Sequence, residues 1–233
     1  MPRRARGDGL IPDFLWPIVG WVIGALVLVV ALLGALTRGT SGAWSVERPV
    51  MDWLRGADLP DALVHFGLAI GSPAFFAALV TLLAIWAVAR RNWPALIALA
   101  TVPGTVLIVE AVLKPVVDRH YVWGGSALYY PSGTAAGVAA WTTLTWIFAV
   151  PFVRRPGLRL ALALALGALA TLTAVSVVAA AKHYPLDAIG GAATGMAVVL
   201  ACAALIDRAT RVHDRSGASA PVDPDTVPEV TRG

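Results

Sequence analysis

The stretch Phe14–Thr37, FLWPIVGWVIGALVLVVALLGALT, contains 24 residues and no charged side chain. A helix that crosses the hydrocarbon core of a bilayer needs roughly 20 apolar residues, so this stretch is long enough for one crossing. Arg3, Arg4 and Arg6 precede it, as in a secretory signal, but a signal's apolar region has only about 7–15 residues. The stretch also lacks a clear small-residue cleavage motif, and we therefore predict a retained membrane anchor.

Five further apolar stretches follow the first, and each is long enough for a helical crossing. They are Ala62–Ala89, Trp93–Leu113, Ser132–Val153, Leu160–Ala181 and Ala188–Ile206. Hydrophobic residues make up 58% of the chain and charged residues only 14%, which is too little charge to cover a soluble domain of 233 residues. We predict an all-α, polytopic membrane protein with a bundle of six transmembrane helices.

The basic residues predict how this bundle is oriented and divided. With a cytoplasmic N-terminus, 12 of the 18 Arg and Lys residues lie in the inner segments and 6 in the outer ones. This bias follows the positive-inside rule, so both termini are expected in the cytoplasm and the protein in the plasma membrane.

The placement of these basic residues at helix ends also explains the basic isoelectric point without a nucleic-acid partner. We expect a cytoplasmic segment 1–13, a membrane domain 14–207 and a disordered cytoplasmic tail 208–233, which is rich in Pro, Ser, Asp and Arg.

The longest outer connection, 38–60, mixes charged residues with large apolar ones. The apolar members are Trp44, Val50, Met51, Trp53 and Leu54. This pattern predicts either a short outer interfacial helix, with its aromatic residues at headgroup depth, or a loop held by a few buried anchors.

Glycine and proline predict two further features of the bundle. The sequence Gly71-Ser72-Pro73 is expected to break or kink the second stretch. Two pairs of glycines are spaced four residues apart, which lets helices approach closely. These pairs are Gly20 with Gly24 and Gly191 with Gly195.

Polar residues at membrane depth are costly and often functional, and three clusters of them lie at the predicted outer ends of the stretches. The first contains Glu110 and Lys114, which share a helix face because they are one turn apart. The two side chains form an internal ion pair, or Lys114 reaches an anion instead. Arg119 and His120 follow in the next loop.

The second cluster, Tyr129-Tyr130-Pro131-Ser132-Gly133-Thr134, opens the fourth stretch. Ser132 can cap the helix, and Gly133 allows close approach of another group to the backbone. Free N–H groups and the helix dipole then favour an anion at this position.

The third cluster combines Ser176 with Lys182-His183-Tyr184-Pro185-Leu186-Asp187. Pro185 suits the first turn of a helix, and Asp187 then lies within reach of His183. A carboxylate that fixes the imidazole tautomer leaves the other ring nitrogen free as a nucleophile or base. The alternative is a simple helix cap.

The order of these clusters resembles the three-part signature of the type 2 phosphatidic acid phosphatase and vanadium haloperoxidase superfamily. The resemblance covers Lys114 to Asp187 and implies a six-helix bundle with an outward-facing site in the membrane branch of the superfamily. By this resemblance His183 is the nucleophile that attacks phosphorus, and Asp187 orients it. Lys114 and the amides of Ser132 and Gly133 hold the phosphate.

Three positions depart from the family pattern. Tyr121 and Val177 stand where the family has arginines, and Thr134 stands where it has the histidine that protonates the leaving group. Arg119 is a substitute for the first arginine, Thr134 still belongs to the phosphate-binding turn, and His120 is a candidate proton donor.

The resemblance implies a membrane lipid phosphatase that uses a histidine nucleophile on the outer face. Its partners are a lipid phosphate or polyprenyl diphosphate and the surrounding membrane lipids, and it needs no metal or other cofactor. The missing acid at Thr134 favours a diphosphate, whose leaving phosphate is a weak base. The alternatives are a non-catalytic member that binds lipid phosphates or scaffolds another membrane enzyme, and an unrelated small transporter. High Ala, Val and Arg usage suggests a bacterial source, while the oligomeric state is left open.

Overall fold

The computed structural model describes residues 10–11, 15–89, 91, 93–121, 127–149 and 153–218. Within these residues the protein is helical, and β-structure is limited to isolated bridges. The helices are α1 (Trp16–Thr37), α2 (Arg48–Gly56), α3 (Asp61–Ile70), α4 (Pro73–Ala89), α5 (Trp93–Leu99), α6 (Thr101–Ile108), α7 (Lys114–Val117), α8 (Gly133–Ala149), α9 (Pro156–Ala179) and α10 (Pro185–Ala218). A π-helical turn, Val109–Leu113, joins α6 to α7.

Four helical segments in the described chain are long and apolar enough to cross a membrane. They are Trp16–Thr37, Ala95–Val117, Pro156–Ala179 and Pro185–Arg211, and the bent pair α3–α4 provides a fifth if it is counted as one crossing. Large apolar side chains on the outside of the bundle, such as Trp21 and Leu28, fit a lipid surface. The protein is therefore a multi-pass, all-α membrane protein.

Helix α8 decides whether the number of crossings is six. Seventeen residues of it are described, and it lies in the centre of the bundle between α9 and α10. Its inward residues include Val138 and Leu144, which are almost completely buried. The count of six crossings stays a prediction, since length and composition support four or five.

The predicted break at Gly71-Ser72-Pro73 is confirmed, because α3 and α4 meet there at an angle of 50°. The Ser72 hydroxyl oxygen accepts a hydrogen bond of 3.2 Å from the Phe75 amide and so caps α4. A side chain on Gly71 would overlap the methyl group of Thr134. The break therefore brings the backbone of this corner directly against the start of α8.

Close helix packing is confirmed for one of the two glycine pairs. A Cβ on Gly191 would overlap the Ser132 carbonyl, and one on Gly195 would overlap the Ala136 carbonyl, so α10 lies backbone to backbone on α8. In contrast, a Cβ on Gly20 or Gly24 would have no neighbouring atom within 4 Å. These two glycines of α1 therefore do not mark a helix contact among the described residues.

This difference gives a matched pair of variants. We expect Gly195→Ala to lower the free energy of unfolding by about 1–3 kcal/mol, because the new methyl group meets backbone atoms that cannot move aside. Gly20→Ala should leave stability unchanged or slightly raised, since its methyl group enters open space. Thermal unfolding of both variants in detergent checks this, and equal midpoints would contradict the close α8–α10 contact.

The two ends of the described chain meet at one end of the bundle. The Asp207 carboxylate on α10 accepts hydrogen bonds from the backbone amides of Leu10 and Ile11, and both of these residues are buried. Helix α10 continues to Ala218, past residue 208 at which the sequence predicts the tail to begin. Residues 1–9, 12–14 and 219–233 lie outside the described part of the chain.

The connection between α1 and α3 contains the predicted short helix, α2. Its Met51 and Leu54 are buried against Val177 and Tyr184, while Trp53 is exposed on the opposite side. Helix α2 therefore covers the segment that joins α9 to α10, and the apolar side of this amphipathic helix faces the protein interior.

Candidate functional site

The three polar clusters of the sequence meet at the end of the bundle that lies away from the chain termini. Asp187 lies in the first turn of α10, and Asp207, which contacts the N-terminal residues, lies about 30 Å further along this helix at 1.5 Å per residue. The backbone amide of Ser132 donates a hydrogen bond of 2.9 Å to the Asp187 carbonyl. Arg119 Nη1 lies 2.6 Å from Asp187 Oδ1. The loop after α7 and the starts of α8 and α10 therefore form one structural unit.

Two residues in the left-handed conformation turn the chain into this site. Asp118 ends α7 with φ at 56°, and Ala181 follows α9 with φ at 53°. Such values are uncommon for residues with a side chain and are held by surrounding contacts. After Ala181, the amides of Lys182 and His183 both donate to the Val177 carbonyl, at 2.9 and 3.1 Å. This turn positions His183 immediately before α10.

Arg119 lies completely inside the protein, with a side-chain exposure of 0%. Its guanidinium group bonds Glu47 at 2.5 Å and Asp187 at 2.6 Å, and it also donates to the Gly42 carbonyl at 3.2 Å. The Tyr184 ring covers it at 4.5 Å. The sequence suggests Arg119 as a phosphate ligand. Here its Nη1 and Nη2 groups bond internal carboxylates and a carbonyl, and its buried Nε has no hydrogen-bond partner among the described residues.

Glu47 is a site residue that the sequence did not reveal. It is buried, and besides the Arg119 ion pair it accepts hydrogen bonds from the amides of Trp44 at 2.7 Å and Leu186 at 3.0 Å. Glu47 thus ties the α1–α2 connection to the first turn of α10. Its only local signal is an acidic residue directly before a helix, which usually indicates a solvated cap.

The predicted pair of His183 and Asp187 is present, with Nδ1 and Oδ2 separated by 3.8 Å. This distance exceeds a hydrogen bond, and Nδ1 has no hydrogen-bond partner among the described residues. Oδ2 also accepts a hydrogen bond of 2.9 Å from the Tyr184 amide. Because Nδ1 faces the carboxylate, Nε2 lies on the opposite edge of the ring.

Tyrosines surround this histidine. The Tyr129 ring meets His183 edge-on at 5.4 Å and stacks on Tyr121 at 5.0 Å, while Tyr121 also stacks on Tyr184 at 5.9 Å. Burial raises the pKa of the Tyr129 phenol, and the neighbouring Tyr121 and Asp187 add to the effect. Tyr129 is therefore a neutral hydroxyl group at physiological pH, and His183 has an aromatic wall on one side.

Lys114 and Glu110 form the ion pair that the sequence offers as one of two alternatives. Lys114 Nζ lies 2.8 Å from Oε1 and 2.9 Å from Oε2 of Glu110. Glu110 belongs to the π-helical turn, a type of irregularity that is frequent at functional sites. A Cβ on Gly133 would lie 2.8 Å from Glu110 Oε1, so this carboxylate sits against the first residue of α8.

At the start of α8, Ser132 acts as the predicted cap. Its buried hydroxyl oxygen accepts a hydrogen bond of 3.3 Å from the Ala135 amide. The Thr134 methyl group points to Gly71 at the α3–α4 break. The first amides of a helix have no partner within the helix, so those of Gly133 and Thr134 are the donors that an anion at this end would use.

A comparison with solved structures finds the same architecture in the crystal structure of the first transmembrane PAP2 type phosphatidylglycerolphosphate phosphatase from Bacillus subtilis. The TM-score is 0.60, with 84% of this chain and 97% of that chain covered, at 18% sequence identity. The chain has the membrane PAP2 fold. No protein-family model matches the sequence, and no match was found among curated proteins.

Within this PAP2 fold, the three positions that depart from the family signature carry neutral, packed side chains. Tyr121 belongs to the tyrosine stack, Thr134 contacts the α3–α4 corner, and Val177 is buried against Met51 and Leu54. The positions at which the family signature has an arginine or a histidine are therefore occupied here by uncharged side chains that pack against their neighbours.

The remaining polar residues lie around this centre. His120 Nε2 is 3.0 Å from Asp118 Oδ1, and the ring is partly exposed, so its described partner is a loop carboxylate. Ser176 is buried and faces Gly67 on α3, and its hydroxyl group has no hydrogen-bond partner among the described residues. His65 contacts the Asp61 carbonyl on α3 at 2.7 Å.

Proposed function

We propose that this protein is a membrane phosphatase that removes phosphate from a lipid phosphate or polyprenyl diphosphate through a covalent intermediate on His183. The observation that carries the proposal is the His183–Asp187 pair, whose carboxylate is held by Arg119 and whose backbone bonds Ser132 at the start of α8. The PAP2 fold agrees with this assignment, since the Bacillus subtilis structure of the same fold is described as a phosphatase.

In the first step, His183 Nε2 attacks phosphorus, a P–N bond forms and the P–O bond to the leaving group breaks. Asp187 favours the tautomer with the proton on Nδ1 and stabilises the positive ring that develops. The sequence predicts that Lys114 and the amides of Ser132, Gly133 and Thr134 hold the phosphate oxygens. The Ser132 amide donates to the Asp187 carbonyl instead, which leaves Lys114 and the other two amides as the donors in the proposal.

In the second step, water attacks phosphorus and breaks the P–N bond, which releases inorganic phosphate and neutral His183. The positive groups that stabilise the equatorial oxygens in the first step do the same in the second. His120 is retained as the candidate proton donor of the proposal, although its described contact is with Asp118.

A lipid diphosphate fits the site better than a simple monoester. A general acid contributes roughly 10²–10⁴-fold to rate, and the family position for it is Thr134. Its loss slows the departure of an alkoxide strongly. The departing phosphate of a diphosphate is already a weak base, so the same loss has a smaller effect on it.

We further propose that the site faces outward and that both termini are cytoplasmic. The contact of Leu10 and Ile11 with Asp207 supports this, because chain ends on the same side imply an even number of crossings. The excess of basic residues in the segments on that side supports the cytoplasmic assignment. Helix α2 then lies at the outer interface, where Trp53 meets the lipid headgroups.

A second candidate function is binding of lipid phosphates without turnover, including a scaffolding role. The ion pair of Lys114 with Glu110 favours it, because it leaves the lysine neutralised, as do the packed neutral residues at positions 121, 134 and 177. The intact His183–Asp187 pair favours catalysis.

Phosphate release distinguishes the two candidates. Wild type and His183→Ala, purified in detergent, are compared on polyprenyl diphosphate and on phosphatidic acid over a range of pH. We expect release by wild type alone, with the diphosphate as the better substrate. Equal release by both proteins on every lipid would overturn the catalytic proposal, and faster turnover of the monoester would overturn the diphosphate preference.

The Thr134→His variant tests the role of the missing acid. We expect it to raise turnover of a lipid monoester by about 10²-fold, the lower range for a positioned acid. The Thr134 methyl group packs against Gly71, so thermal unfolding of the variant is measured beside its activity. Thr134→Asn is the matched control, because it adds a polar side chain that cannot donate a catalytic proton. Equal rates for the two variants would argue against an acid at this position.

A further inference from the structure

The Glu110 carboxylate occupies the place that the proposed function reserves for phosphate. It bonds Lys114 with both oxygens and lies against Gly133, the first residue of α8. A lysine and a helix N-terminus are the groups that bind a phosphoryl group. The Glu110 carboxylate is therefore an anionic group of the protein itself, bound to the lysine that is proposed to bind phosphate.

The two members of this pair differ in their freedom to move. The Lys114 side chain is 15% exposed, whereas the Glu110 side chain is 50% exposed. Glu110 can therefore turn away from Lys114 without disturbing packed residues, and an ion pair of this exposure contributes at most about 1 kcal/mol. An incoming phosphate can therefore displace the Glu110 carboxylate and take its place as the partner of Lys114.

We propose that Glu110 is an internal competitor of phosphate, which holds Lys114 before the substrate binds and returns to it as the product leaves. The inference rests on the proposed phosphate site. Every phosphate ligand must displace the same carboxylate, so Glu110 weakens the binding of substrate and product alike. Weaker binding of inorganic phosphate speeds its release, which is an advantage for an enzyme whose product resembles the reacting part of its substrate.

The test is binding of inorganic phosphate to the detergent-purified protein, measured by calorimetry, which requires no turnover. We expect Glu110→Gln to bind phosphate about tenfold more tightly, since one charge-assisted hydrogen bond is freed for the ligand. Lys114→Gln should bind more weakly than wild type. In the double variant Glu110→Gln/Lys114→Gln the gain should vanish, because the competitor acts through the lysine.

The outcomes separate this inference from the proposed function. If Lys114→Gln binds as wild type does, the proposed phosphate site is overturned, and the competitor with it. If Lys114→Gln weakens binding but Glu110→Gln does not tighten it, the competitor alone is overturned. Glu110→Asp is a second variant that keeps the charge but cannot reach Gly133, and it should tighten binding by a smaller factor. Thermal unfolding of each variant shows that the fold is retained.

Discussion

Replacement of His183 with alanine is expected to lower phosphate release by about 10⁶-fold, the order of loss seen when a covalent nucleophile is removed. The proposed mechanism makes Nε2 the atom bonded to phosphorus, so no other group can take its place. The fold should survive, since the His183 ring is at the edge of the tyrosine cluster and makes no hydrogen bond through Nδ1 to a described residue.

The covalent step provides a second measurement. Wild type incubated with ³²P-labelled substrate and quenched in alkali should retain label as phosphohistidine, whereas His183→Ala should retain none. His65→Ala is the matched control, because His65 bonds a backbone carbonyl on α3 and has no part in the proposed chemistry. Label on the alanine variant, or equal loss of activity in both variants, would refute His183 as the nucleophile.

The second large effect is expected at Arg119, where a methionine should lower the free energy of unfolding by about 3–5 kcal/mol. The substitution leaves the Glu47 and Asp187 carboxylates buried without a cation, and their exposures are 1% and 0%. Activity should fall as well, because Asp187 loses the contact that fixes it beside His183. Thermal unfolding and phosphate release of the variant measure the two effects.

Two further variants test whether the loss of stability comes from unpaired buried carboxylates or from a general effect of replacing an arginine. Arg55→Met removes an exposed pair with Asp52, at 3.5 Å, and should change stability by less than about 1 kcal/mol. Adding Glu47→Gln to Arg119→Met removes one unpaired carboxylate and should restore part of the lost stability. An Arg119→Met protein that unfolds at the wild-type temperature would show that the buried network does not hold the site together.

Much of the architecture could be predicted because it follows from local composition. A run of apolar residues such as Phe14–Thr37 has to form a helix in lipid, since its backbone groups find no other partners there. The helix break at Gly71-Ser72-Pro73 is also local, because it depends on the backbone of these three residues. Glycine spacing is a weaker guide, since it marks a helix contact at Gly191 and Gly195 but none at Gly20 and Gly24. The number of crossings is less local, because α8 lies in the centre of the bundle and is buried by its neighbours.

Parts of the site were likewise predictable. His183 and Asp187 are four residues apart, so the sequence places them within reach of each other at the start of α10. Glu110 and Lys114 also share a helix face, but the sequence alone left open whether the lysine pairs with the glutamate or with an anion. The structure shows the pair and adds that its carboxylate reaches the start of α8.

Taken alone, the sequence establishes a helical membrane protein and brings His183 next to Asp187, since these features depend on neighbours along the chain. The surroundings of that pair depend instead on how the helices pack. Glu47 and Arg119 are 72 residues apart, and Arg119 and Asp187 are 68 apart. Two buried carboxylates and one guanidinium meet only where separate segments of the chain are packed together, and no local pattern predicts that contact.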